Sequence, residues 1–170
     1  MLKSGALLED KLGEFEKALK LYQKLATERS DPNAADLKQV LKEHLESMGY
    51  PVTDFGSDDP VYANVAFAVA EAVAAGRHDR GILLCGTGIG VCIAANKVAG
   101  AYAALCSDVY STERSRMSNN ANIMTMGSQV VGPELAKTLL TIWMKSEYVP
   151  GGRSEPKVQR ICDYARDHQK

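Results

Sequence analysis

The stretch that most restricts the fold is GILLCGTGIGVCIAANK, residues 81–97. Its opening apolar run reads as a strand covered on both faces, as in a parallel sheet. The run ends at Cys85, glycines follow at 86, 88 and 90, and a helical pattern continues to about residue 98. Glycines let the backbone turn tightly and let a ligand approach the amides. A helix N-terminus adds partial positive charge, so anions bind there. The anion is either a phosphate or the transient oxyanion formed when a carbonyl compound loses a neighbouring proton. Cys85 stands where the same dipole favours a thiolate, a suitable base for that proton. The turn has neither the GxGxxG spacing of a dinucleotide site nor the GK[ST] ending of a P-loop. Taken alone, it equally describes a tight turn over a buried cysteine.

The segments around it alternate. Residues 34–48 place Leu37, Val40, Leu41, Leu45 and Met48 on one helical face, with Ser30 or Asp31 as cap, Pro32 at the first position and Gly49 as terminator. PVTDFG reads as a strand, and VYANVAFAVAEAVAAG as a helix closed by Gly76. After the glycine turn come a strand in AYAALC, a helix in VYSTERSRMS, a strand in NIMTMG and an amphipathic helix in GPELAKTLLTIWMKSEY. VPGGRSEP is a loop, and KVQRICDYARDHQ a last helix. This order predicts an α/β fold: a doubly wound, Rossmann-like, five-stranded parallel sheet with helices on both faces.

The N-terminus departs from that pattern. Leu8, Leu12, Phe15, Leu19 and Tyr22 recur at helical spacing, so residues 1–23 read as an amphipathic helical extension. LGEFEKALKLYQK is similar to one helix of a tetratricopeptide repeat, but such a repeat needs stacked neighbours. The extension is expected to dock on the body (24–170) or on a second subunit.

A chain of 170 residues with 45% hydrophobic content builds one core. A net charge of -1 gives no electrostatic case for nucleic acid or an anionic membrane. No apolar run nears the ~20 residues of a membrane span, and the start becomes charged too soon for a signal peptide, so the expected location is the cytoplasm. Four scattered cysteines and three histidines, without a CxxC pair, give no metal site, and Cys92, Cys106 and Cys162 read as packing residues. Two further motifs carry chemistry. In GGRSEPK, Arg153 and Lys157 lie four apart about a helix start near Ser154, a spacing that suits a phosphate clamp or a plain solvated helix end. SRMSNNAN carries three asparagines in four residues, which is loop chemistry or a means of orienting sugar hydroxyls.

Together GILLCGTGIGVCIAANKVAGAYAALCSD, YSTERSRMSNNANIMTMGSQVVGPELAK and GGRSEPKV resemble the type B ribose-5-phosphate isomerase family, which includes the galactose-6-phosphate isomerase subunits. The resemblance runs from about Ser30 to the C-terminus. It implies cofactor-free aldose–ketose isomerisation of a sugar phosphate through an enediolate. It further implies Cys85 as the base between C1 and C2, Thr87 beside the reacting oxygens, and the amides of Gly86, Gly88 and Gly90 around the enediolate. Asp31 matches an acid that touches substrate hydroxyls, Asn119 a substrate contact, Arg153 and Lys157 the phosphate ligands, and Tyr62 the family's DYP tyrosine. It implies a homo-oligomer, at least a dimer, with the Asn119 segment entering from the neighbouring chain.

Three departures follow. The family's ring-opening histidine falls at Ser118, a poor acid–base substitute. A tetrose 4-phosphate needs no ring opening, because its O4 is esterified. Members with SNNA here look like erythrulose-4-phosphate isomerases. The histidine after the family's aspartate is Pro32. The family's central first strand falls at about 24–29, where Glu28 and Arg29 are poor strand-core residues. Its loss would leave an open edge in the sheet. Ribose-5-phosphate isomerase is the alternative activity. A non-catalytic sugar-phosphate-binding partner subunit is the alternative of another class.

Overall fold

The computed structural model describes residues 5–9, 32–56 and 61–168. Strand β1 (Gly5–Glu9) is followed by helix α1 (Pro32–Ser47), β2 (Val52–Asp54), α2 (Tyr62–Ala74), β3 (Arg80–Cys85), α3 (Ile89–Ala95), β4 (Ala103–Leu105), α4 (Val109–Met117), β5 (Ile123–Gly127), α5 (Pro133–Lys145) and α6 (Glu155–His168). The strands form one sheet in the order β2-β1-β3-β5-β4.

The side chains of β3 alternate between two cores. Leu83 and Cys85 join Val65, Val69, Val73 and Val91 of α2 and α3 on one face. Ile82 and Leu84 join Leu37, Leu41 and Leu45 of α1 and Leu139, Leu140 and Trp143 of α5 on the other. All six residues of β3 are buried, as its unbroken apolar run requires. Parallel pairing of β3 with β5 and of β5 with β4 puts their C-terminal ends on one edge. In such sheets that edge is where ligands bind.

The slot between β2 and β3 departs from the sequence reading. It is filled by Gly5–Glu9, which pairs antiparallel to both neighbours, so the sheet is mixed. Residues 5–9, expected in the amphipathic helix, are strand. The reason lies in their composition: GALL is apolar without a charge until Glu9, which suits a strand paired on both sides, while only Leu8 there belongs to the helical stripe. The expected strand at 24–29, the rest of the expected helix and Asp31 lie outside the described residues. Among the described residues no helix is long and apolar enough to cross a membrane.

Lys38 of α1 ties that helix to the end of β2, its Nζ 3.1 Å from Asp54 Oδ2 and 3.2 Å from Oδ1. Burial outweighs their mutual attraction, pulling Lys38 below its ordinary value and pushing Asp54 up to about 6. Folded Asp54 thus keeps its proton where the unfolded chain, with a carboxyl pKa of about 3.9, has lost it. Its contribution to stability is present below about pH 4 and is lost as pH rises through 6. Between pH 4.5 and 7 the urea midpoint of the wild type should therefore fall relative to that of Asp54→Asn; a constant difference contradicts this. Lys38→Met strands a half-buried carboxylate and should cost about 1–2 kcal/mol at pH 7, read from the same denaturation curves.

Candidate active site

Cys85 is the last residue of β3 and is 3% exposed. Its Sγ accepts the Gly88 N–H at 3.1 Å, which folds the turn back over the sulfur. Gly88 has φ +76° and caps α3. A Cβ there would lie 2.6 Å from Leu105 Cδ1 and 2.7 Å from the Met126 carbonyl carbon, so both conformation and space demand glycine. Helix α3 is shorter than its sequence pattern, seven residues ending at Ala95. Of the turn's amides, the expected Gly88 donor is already engaged by the Cys85 sulfur, and the Ile89 N–H by the Thr87 hydroxyl.

The turn is held from behind by the end of β5. Ser128 N–H donates to the Cys85 carbonyl at 2.9 Å and Gln129 N–H to the Gly86 carbonyl at 3.0 Å. At Gly127 a Cβ would sit 2.6–2.8 Å from backbone atoms of Thr87. Thr87 itself projects into solvent, its hydroxyl accepting the Ile89 N–H at 3.4 Å. Tyr62, first residue of α2, lays its ring on Gly90, where a Cβ would meet the phenol oxygen at 2.5 Å. Gly90 thus makes room for Tyr62. Cys85, Gly86, Thr87, Gly88, Gly90 and Tyr62 are therefore gathered on the C-terminal edge. Gly127 and Ser128 were not singled out from the sequence. The signal was the MGSQ ending of the neighbouring strand, which registers Gly127 against Cys85.

A second group lies apart. Ser118 is the C-cap of α4, and Asn119 follows it, exposed, with no side-chain hydrogen bond among the described residues. Of the other two asparagines in the motif, Asn120 has φ +53°. Asn122 is structural, bonding Tyr102 N–H at 2.7 Å and the Gly100 carbonyl at 2.8 Å. The segment feeds the start of β5, four strand positions, or about 13 Å, before the Cys85 level. Asn119 shares a cavity of about 520 Å³ with Tyr102, Tyr110 and, from α6, Val158, Ile161 and Cys162. Arg153 and Lys157 flank the start of α6, exposed and without an ion pair among the described residues. One chain thus separates the cysteine turn from the Asn119 loop.

Cys92 and Cys106 behave as packing groups. Burial pushes Cys92 and Cys106 up, and Cys92 donates to the Ala103 carbonyl at 3.5 Å. Among the described residues no cluster of metal-ligating side chains occurs.

Fold and turn together define an α/β protein with a glycine turn over a buried cysteine at the end of a parallel strand pair. The family described as Ribose/Galactose Isomerase matches residues 29–161. D-erythrulose-4-phosphate isomerase of Pectobacterium atrosepticum is 48% identical over 144 residues, 82% of this chain and 93% of that protein. Ribose-5-phosphate isomerase B of Escherichia coli is 45% identical over 128 residues, 74% and 85% respectively. The solved ribose-5-phosphate isomerase B of Clostridium thermocellum superposes with a TM-score of 0.74 at 40% identity, over 80% of this chain and 93% of that one. The chain belongs to the ribose/galactose isomerase family and is an aldose–ketose isomerase.

Because Gly127 leaves the Thr87 backbone its place, Gly127→Ala should lower kcat at least tenfold and cost about 2 kcal/mol of stability. Steady-state kinetics and thermal melts on the same preparation check both. An unchanged kcat would show that the turn tolerates displacement.

Proposed function

We propose that this chain interconverts a four-carbon ketose phosphate and its aldose, erythrulose 4-phosphate and erythrose 4-phosphate, without a cofactor. The observation that carries the reaction is the buried Cys85 sulfur at the C-terminal edge of the parallel strands, held by the Gly88 N–H of the glycine turn. In the ketose-to-aldose direction, Cys85 Sγ takes a proton from C1. The C1–H electron pair forms the enediolate, and negative charge collects on the C2 oxygen. The backbone N–H groups of Gly86 and Gly90 offset that charge, the Gly88 N–H being engaged by the Cys85 sulfur, and Thr87 lends a hydroxyl to the proton exchange between the two oxygens. Cys85 then returns its proton to C2.

Ser118 carries the choice of substrate. Ribose 5-phosphate is mostly a furanose, and opening it calls for an acid–base group that serine does not supply. A tetrose with O4 esterified is already open. Similarity to an erythrulose-phosphate enzyme and to ribose-phosphate enzymes is nearly equal, so ribose 5-phosphate is the second reading.

The separation of Cys85 from Asn119, Arg153 and Lys157 supports a site built by two copies. In this reading one copy supplies the cysteine turn with Tyr62 and Asp31, and the other supplies Asn119 and the phosphate clamp. Exposed apolar side chains near the β4 edge, Leu105, Val109, Tyr110 and Ile161, suit such an interface.

With purified protein, kcat/KM for erythrulose 4-phosphate should exceed that for ribose 5-phosphate at least tenfold, and Ser118→His should narrow the gap. Equal or better use of ribose 5-phosphate would overturn the four-carbon assignment. Cys85→Ala should lower kcat by about 10²–10⁴-fold and abolish exchange of the C1 proton with solvent. Full activity in that variant would remove Cys85 as base and favour a non-catalytic role for the chain.

A further inference from the structure

Arg116, in the last turn of α4, is 8% exposed. Its Nη1 donates to Asn120 Oδ1 at 3.2 Å and to the Ala121 carbonyl at 2.7 Å. Both acceptors belong to the turn that carries Asn119. The backbone closes the same turn from the other side, with Asn120 N–H on the Arg116 carbonyl at 3.0 Å and Ala121 N–H on the Ser115 carbonyl at 2.8 Å. The turn also requires Asn120 at φ +53°, a conformation that asparagine tolerates better than most residues.

Keeping a guanidinium there is costly. Arg80, itself 1% exposed, stands nearby, and the two guanidinium carbons lie 5.3 and 5.9 Å from the same Trp143 ring. Burial and repulsion from Arg80 bring Arg116 down to about 10, against attraction from Glu147 and Asp79. Arg80 is accounted for by the end of α5, where it donates to the carbonyls of Trp143, Met144 and Ser146. Among the described residues, Arg116 gives its hydrogen bonds to the Asn119 turn alone. Helix packing by itself would be better served by an apolar side chain of that size.

We infer that Arg116 is a positioning residue for Asn119, clamping the Asn120–Ala121 turn so that the Asn119 amide is presented to substrate. The inference rests on the proposed role of Asn119 as a substrate contact. Arg116 itself touches no substrate.

The test is a double-mutant cycle in the full-length protein, assayed with whichever of erythrulose 4-phosphate and ribose 5-phosphate is turned over. Arg116→Lys, Arg116→Met and Asn120→Gly are made with Asn119 intact and with Asn119→Ala. Asn120→Gly keeps the positive φ while removing the Oδ1 acceptor, which preserves a foldable variant if Arg116→Met does not fold. We expect each to lower kcat/KM at least fivefold with Asn119 present and less than twofold in the Asn119→Ala background, since an amide already absent cannot be misplaced. The loss should fall in the same parameter, kcat or KM, as the loss caused by Asn119→Ala. Equal losses in both backgrounds, or lowered thermal stability with unchanged kinetics, would make Arg116 merely structural and overturn the inference. If Asn119→Ala alone leaves kcat/KM unchanged, Asn119 is not a substrate contact and both readings fall. If Asn119→Ala is impaired but the Arg116 and Asn120 variants are not, only the inference falls.

Discussion

Two backbone hydrogen bonds hold the cysteine turn of this protein in place. Ser128 and Gln129 donate to the carbonyls of Cys85 and Gly86, so the residues just beyond β5 fix those just beyond β3. Each bond is worth only about 1 kcal/mol net. Their value is geometric: with both carbonyls turned back toward β5, the turn folds so that the Gly88 N–H meets the cysteine sulfur. The arrangement needs glycine at 127, where Thr87 passes too closely for any side chain, and at 88, where φ is +76°. Parallel pairing supplies the level, registering Cys85 against Gly127. The two cores, one on each face of β3, keep that register.

The same parallel arrangement underlies the proposal that one chain supplies half a site. Strands that run together put all their C-terminal ends on one edge, and the loops feeding them on the other. Cys85 belongs to the first kind of position and Asn119 to the second. In the proposed two-copy site a second copy supplies the missing half, and the exposed Leu105, Tyr110 and Ile161 suit its contact.

Much of this was legible in the sequence, for identifiable reasons. ILLC is continuous and apolar, which suits a doubly covered strand, and the glycines behind it mark the tight turn that follows. Arg153 and Lys157 at the start of α6 followed from the position of the GGRSEPK loop. The central slot was less legible. Residues 5–22 carry a helical stripe, yet Gly5–Glu9 pairs as a strand because an unfilled slot between β2 and β3 outweighs local periodicity. Strand direction was invisible for the same reason: pairing partners decide it, and periodicity does not. Gly127 escaped notice because its constraint exists only across space, leaving room for a residue forty positions earlier. Arg116 escaped it because its bonds to Asn120 and Ala121 depend on how the chain turns after α4, which periodicity does not show.

The central claim is that Cys85 of one copy and Asn119 of another share a single site. Subunit complementation tests it most directly. Cys85→Ala and Asn119→Ala proteins, each of low activity, are dissociated, mixed in equal amounts and reassociated. If the site spans two chains of a dimer, half the dimers are mixed and each has one intact site, so activity should recover to about a quarter of the wild-type value. If both residues act within one chain, every site carries a lesion, and the mixture should show no more than the mean of its two parents.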